Sequence, residues 1–171
     1  MKKFVSYLAL VIPASLPFHA QAGDAKRIAE VAERGGDVMP FDLKATTHVF
    51  TKTNQGGVQS VVAKNPGDTA QVDLIRKHLK HIQTQFAKRD FSDPSHIHGE
   101  EMPGLRQIKE AKSGQIKMTY ANLPAGAKVT YSTSEPGLVK ALHAWFDAQL
   151  SDHGADAMAG HHRDHGSMMK H

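Results

Sequence analysis

At 171 residues, 40% hydrophobic and with no cysteine, the chain is long enough to bury a core of its own. It excludes both a disulfide framework and a thiolate metal site. The formal charge of +4 falls to +2 once Lys2 and Lys3 are set aside, and the remaining basic residues alternate with Asp and Glu without forming a run, which argues against a nucleic-acid partner.

Residues 1–22 read as an export signal. Lys2 and Lys3 supply the positive start, an apolar run reaches Leu16, and Ala20-Gln21-Ala22 offers small residues for cleavage before Gly23. Pro13 and Pro17 make that run too short and broken for a membrane span, so a periplasmic or secreted product is expected. Ile28 and Val31 suggest a short helix over residues 24–34, stopped by Gly35-Gly36. From Thr46 the apolar period becomes two. Residues 47–53 and 58–63 alternate around Asn54-Gln55-Gly56-Gly57 and predict a β-hairpin.

Asp68 followed by Gln71 has the form of a capping box for a helix over residues 69–88, whose Val72, Ile75, Leu79, Ile82 and Phe86 make one apolar stripe. Residues 90–102 read as a loop and 103–112 as a short helix. Residues 115–120 and 127–133 alternate again about the turn Asn122-Leu123-Pro124-Ala125-Gly126. Pro136 opens a last helix in which Leu138, Leu142, Trp145, Phe146 and Gln149 share a face, with Gly154 as its stop. The expectation is an α+β fold: two hairpins in one antiparallel sheet, both long helices on one face, a ββα unit used twice. The domain would span residues 23–153, followed by a disordered tail at 154–171.

The chemistry resides in histidine and methionine. Twelve histidines stand against no cysteine, and five of them crowd with three methionines into the last nineteen residues: His153, Met158, His161, His162, His165, Met168, Met169 and His171. Small residues between these ligands leave the backbone free to wrap an ion. Neutral imidazole and thioether bind without losing a proton, and both survive outside the reducing cytoplasm. Thioether favours Cu(I), while imidazole with carboxylate serves Cu(II), zinc and nickel, so copper is the leading cofactor.

Two further candidates lie within the domain. In Asp90-Phe-Ser-Asp93-Pro-Ser-His96-Ile-His98-Gly-Glu100-Glu101-Met102, an extended backbone would aim His96 and His98 to one side, with Glu100, Asp93 or Met102 completing the ligand set. His78 and His81, three apart on the first long helix, would share a face turned from the main stripe. His143 reads as a hydrogen-bonded core residue, and His48 as structural or exposed. The function expected is an exported metal-binding protein for copper buffering, tolerance or delivery to a periplasmic transfer partner. The alternative is a metal-dependent enzyme or small-molecule binder using His96, His98 and Glu100 with His78 and His81, in which a carboxylate would act as base on a metal-activated water.

Residues 39–50 (MPFDLKATTHVF), 90–99 (DFSDPSHIHG), 123–128 (LPAGAK) and 144–154 (AWFDAQLSDHG) resemble a family of small exported bacterial proteins of poorly defined function, over a span from about Asp37 to the C-terminus. Members of that family often carry the label aspartate carbamoyltransferase. Such transferases have two α/β domains, roughly twice this length, and a Ser-Thr-Arg-Thr-Arg phosphate loop. Ser132-Thr133-Ser134 here has no arginine. The resemblance implies location and assigns no ligand residue.

Overall fold

The computed structural model describes residues 19–161, with side chains from residue 25 on. It is an α+β fold: α1 (His19–Val38), β1 (Thr46–Thr53), β2 (Gly56–Ala63), α2 (Thr69–Ala87), α3 (Ser92–His98), α4 (Leu105–Glu110), β3 (Lys117–Leu123), β4 (Gly126–Ser132), α5 (Pro136–His153) and β5 (Ala157–Ala159). The two hairpins join through an antiparallel β2–β4 pairing, Val58 opposite Thr130, into one sheet of order β3-β4-β2-β1-β5. The sheet is mixed rather than purely antiparallel, because β5 runs parallel to β1 with His48 opposite Ala157. Residues 154–159, predicted as part of a disordered tail, are therefore ordered: Gly160 N–H extends the ladder to the Phe50 carbonyl at 2.9 Å, satisfying backbone groups that an edge strand would leave open. The rest of the tail from residue 162 lies outside the described residues.

Alternation places Thr46, His48 and Phe50 of β1, Gln59, Val61 and Ala63 of β2, and Ala127, Val129 and Tyr131 of β4 on the buried face. α2 and α5 both cover that face. The predicted α2 stripe is buried throughout (Val72, Ile75, Leu79, Ile82 and Phe86), and on α5 Leu142, Trp145, Phe146 and Gln149 are buried while Leu138 is only half-buried. Each large apolar side chain removed from water in this layer contributes about 1.5–3 kcal/mol. Asp68 caps α2 by accepting from Gln71 N at 3.1 Å, but the reciprocal half of the capping box is absent. Gln71 Oε1 instead accepts from Asp42 N at 2.9 Å and pins the segment entering β1.

Three helical readings need correction. α1 continues through Gly35-Gly36 instead of stopping there, because buried Val31 and the contacts of α1 with α3 and α5 outweigh the ~1 kcal/mol that a helical glycine costs. Residues 92–98 are helical, not an extended loop. Pro94 falls in the first turn of α3, where its missing N–H has no intrahelical partner to lose, and Asp90 Oδ1 accepts from Ser92 N at 3.0 Å at the entrance. α4 starts at Leu105 rather than Pro103, behind Gly104 at φ +78°.

A buried histidine cluster as the candidate metal centre

Four histidines from four elements meet beneath the sheet. His48 enters from β1, His78 from α2, His98 is the last residue of α3, and His153 the last of α5, with exposures of 3%, 9%, 5% and 7%. Each arrives for a local reason. The alternation of β1 turns His48 inward with Thr46 and Phe50. His153 continues the α5 stripe four residues beyond Gln149. Just past it, Gly154 adopts φ +53°, a conformation that L side chains avoid, and a Cβ there would stand 2.9 Å from Ile28 Cδ1 of α1. That turn sends the chain into β5 and lays the His153 ring on His48, centroids 4.6 Å apart and 11° from parallel. His98 meets His153 edge-on at 5.3 Å and 75°. His78 stands against Phe41 at 5.4 Å in a T-shaped contact.

His98 is held from behind. Its Nδ1 lies 2.8 Å from Asp152 Oδ2, and Asp152 accepts two further bonds from Arg27, Nε at 3.0 Å and Nη2 at 2.7 Å. Arg27 Nη2 also donates to the His98 carbonyl at 2.6 Å. A carboxylate bonded to Nδ1 fixes the tautomer with the proton on that nitrogen and leaves Nε2 as the lone-pair donor. Burial opposes ionisation of Asp152, but the bonds from His98 and Arg27 outweigh it and hold the carboxyl well below its usual range.

Desolvation is the leading cause of the depressed basicity of the other three rings. It takes His78 to about 4, helped by nearby His81, and His153 to about 4, helped by His98. His48 is lowered further, first by burial and then by His153, His78 and His98, against a backbone hydrogen bond at Asp156 that raises it. These rings are neutral at pH 7. His48 Nδ1 is fully buried and has no hydrogen-bond partner among the described residues. The rings border a cavity of about 40 Å³, also lined by Gln59, Gln149, Asp93 and Met39.

Not every predicted ligand comes here. In α3, His96 and His98 lie about 200° apart on the helix rather than on one side as an extended strand would place them. His96 faces out, 52% exposed, with Asp37 at 3.2 Å, while His98 faces in. The His78/His81 pair divides likewise: His78 is buried instead of turned from the core, and His81 is 60% exposed with Asp93 at 3.9 Å. Glu100 pairs with Lys109 at 2.5 Å, and Met102 is packed in the core. Met158 is exposed on β5 and His161 exposed beyond it. His162, His165, Met168, Met169 and His171 lie outside the described residues. His143 is half-buried, its Nε2 near the carbonyls of Thr53 and Gly56 at 3.0 and 2.9 Å, as its reading as a structural residue required.

His48, Asp152, Arg27, Gln59 and Gln149 were not among the predicted ligands. The signals for two of them were available in the alternation Thr46-x-His48-x-Phe50 and in the spacing Trp145, Gln149, His153. As the rotamers stand, no group of three His, Asp or Glu side chains among the described residues is arranged to hold an ion. The stacked His48 and His153 present ring faces to each other, and a shared ion requires them to turn about χ1 and χ2. Among the described residues no helix is long and apolar enough to cross a membrane. No family model, curated protein or solved structure matches the chain.

Proposed function

We propose that this is an exported metal-binding protein whose principal site is the interior group His48, His78, His98 and His153, with the His/Met-rich C-terminal segment as an outer collector. What carries the reading is the burial of four imidazoles around one small cavity, one of them oriented by a carboxylate–arginine pair. Burying polar rings costs free energy unless their hydrogen bonds are replaced, and His48 Nδ1 has no replacement among the described residues. An ion would supply it.

The chemistry of the donors suits the task. His48, His78 and His153, held neutral by burial, surrender no proton on binding at pH 7, and the Asp152 bond raises the donor strength of His98. Four nitrogens would serve Cu(II), zinc or nickel. Met39, a residue lining the same cavity, would tilt the choice to copper, whose Cu(I) state accepts thioether. Metal held by the folded state alone would stabilise it by about 2.7 kcal/mol at a hundredfold excess over Kd.

The test is calorimetric titration of the full chain with Cu(II), zinc and nickel, and with Cu(I) under reductant, beside a His48→Ala/His153→Ala double variant and a chain lacking residues 162–171. The double variant should lose the tightest equivalent and the metal-dependent rise in Tm, whereas the shortened chain should lose only weaker equivalents. Identical isotherms for the full chain and the double variant would sink the reading.

A further inference from the structure

A second hollow, of about 170 Å³, opens where the end of α2, the end of α4 and the start of β3 converge. Of the residues lining the histidine cavity only Phe86 also lines this one, so nothing here depends on a metal. Its apolar lining is buried Phe86, Phe91 and Ile108, with half-buried Ile116 and Met118 around the start of β3. Protein interiors leave few voids larger than a water molecule, and an apolar cavity of about 150 Å³ takes one benzene. The hollow is therefore the size of a single six-membered ring.

Two features say what that ring carries. The first is charge. Arg89 and Lys112 are the only charged residues of the lining, and no acid stands among them. The second is the way both are held. Arg89 has φ +64° at the end of α2, a left-handed conformation that glycine would adopt at less cost and that no other non-glycine residue takes among the described residues. From there its Nη1 and Nη2 donate to the carbonyls of Ala111 and Lys109 at the end of α4. Those bonds leave Nε–H and one hydrogen on each Nη without an acceptor among the described residues. The Lys112 turn is fixed as well: Lys112 N donates to Gln115 Oε1 at 2.6 Å, and Gln115 N to the Lys112 carbonyl at 3.1 Å. The backbone of the mouth is thus set before a ligand arrives, which lowers the ordering cost of binding.

We propose that this hollow binds a small aromatic carboxylate, its ring against Phe86 and Phe91 and its carboxylate at the mouth between Arg89 and Lys112. A guanidinium fork beside an ammonium suits that anion. Phe86 and Phe91, with centroids 4.5 Å apart and planes 34° from parallel, favour a third ring over an aliphatic chain of equal volume.

Benzoate is the probe. It is titrated into the metal-free full chain while backbone amide NMR shifts are followed. Benzyl alcohol supplies the ring without the charge, and acetate the charge without the ring. Saturable benzoate shifts are expected at residues 87–91 and 111–116, with both controls at least tenfold weaker. Lys112→Gln should weaken benzoate about threefold and leave benzyl alcohol unchanged, the worth of one exposed charge. Ala87→Trp, at an exposed position of the lining, should block the mouth and abolish benzoate binding with little change in Tm. The inference is overturned by shifts that do not saturate or that fall only on other residues, by either control binding as tightly as benzoate, or by an affinity indifferent to both substitutions.

Discussion

The inward and outward histidines of this protein are chemically the same group placed in two dielectric worlds. His81 and His96 sit exposed beside Asp93 and Asp37, where a surface pair is worth about 0–1 kcal/mol. His48, His78 and His153 are stripped of water and held neutral, and His98 is clamped by Asp152. The same element supplies one of each: α2 carries His78 and His81, α3 carries His96 and His98. Proximity in sequence therefore says little about which imidazoles act together. The side of the helix they occupy decides it.

Acid should expose the contrast most strongly. The unfolded chain protonates histidine near 6.5, whereas folded His78 and His153 stay neutral down to about 4. Between those values unfolding takes up protons, so stability is full above pH 6.5 and declines as pH falls toward 4, by about 3 kcal/mol for each ring. Urea midpoints of the metal-free protein at pH 7.5, 5.5 and 4.5 measure this, and a flat profile would contradict neutral burial.

Asp152→Ala is expected to cost about 3 kcal/mol, since His98 and Arg27 both lose their shared anion in a mostly buried place. Chemical denaturation reads the change. Restoration of most of the loss by Asp152→Glu would locate the effect in charge rather than volume. Gly154→Ala should cost about 1–2 kcal/mol through its left-handed backbone, with Ile28 giving way at its flexible end. Because that glycine sets the approach of His153 to His48, the metal affinity proposed for the cluster should fall with it. At the small end, His81→Ala and His96→Ala should each shift stability by less than about 0.5 kcal/mol. A larger loss at either would mean that the surface pairs matter more than their exposure implies.

Much of the frame was legible. The period-two runs before Asn54 and after Gly126, and the period-3.6 stripes through Leu79 and Trp145, encode the sheet and its two covering helices, because burial selects one face of each element. The export and metal readings rested on composition, which carries no geometry. His78 was misplaced because it flanks the α2 stripe, about 60° from Ile75 and 40° from Ile82, and the Phe41 segment, held by the Asp42–Gln71 bond, packs against it. The α3 helix was missed because Pro94 reads as a breaker unless it falls in a first turn. His48 and His153 become neighbours through β5, a three-residue parallel strand too short to leave a pattern in the sequence.

That strand has a bearing on how the protein behaves in company. By hydrogen-bonding along β1, residues 157–159 occupy the flank on which a strand from another molecule could dock, and they leave β3, begun by the exposed Lys117, as the sheet's other border. Clipping the chain before Ala157 would thus do more than shorten a histidine- and methionine-rich tail. It would bare the backbone beside His48, Val49 and Phe50 and open β1 to pairing with a strand from another molecule.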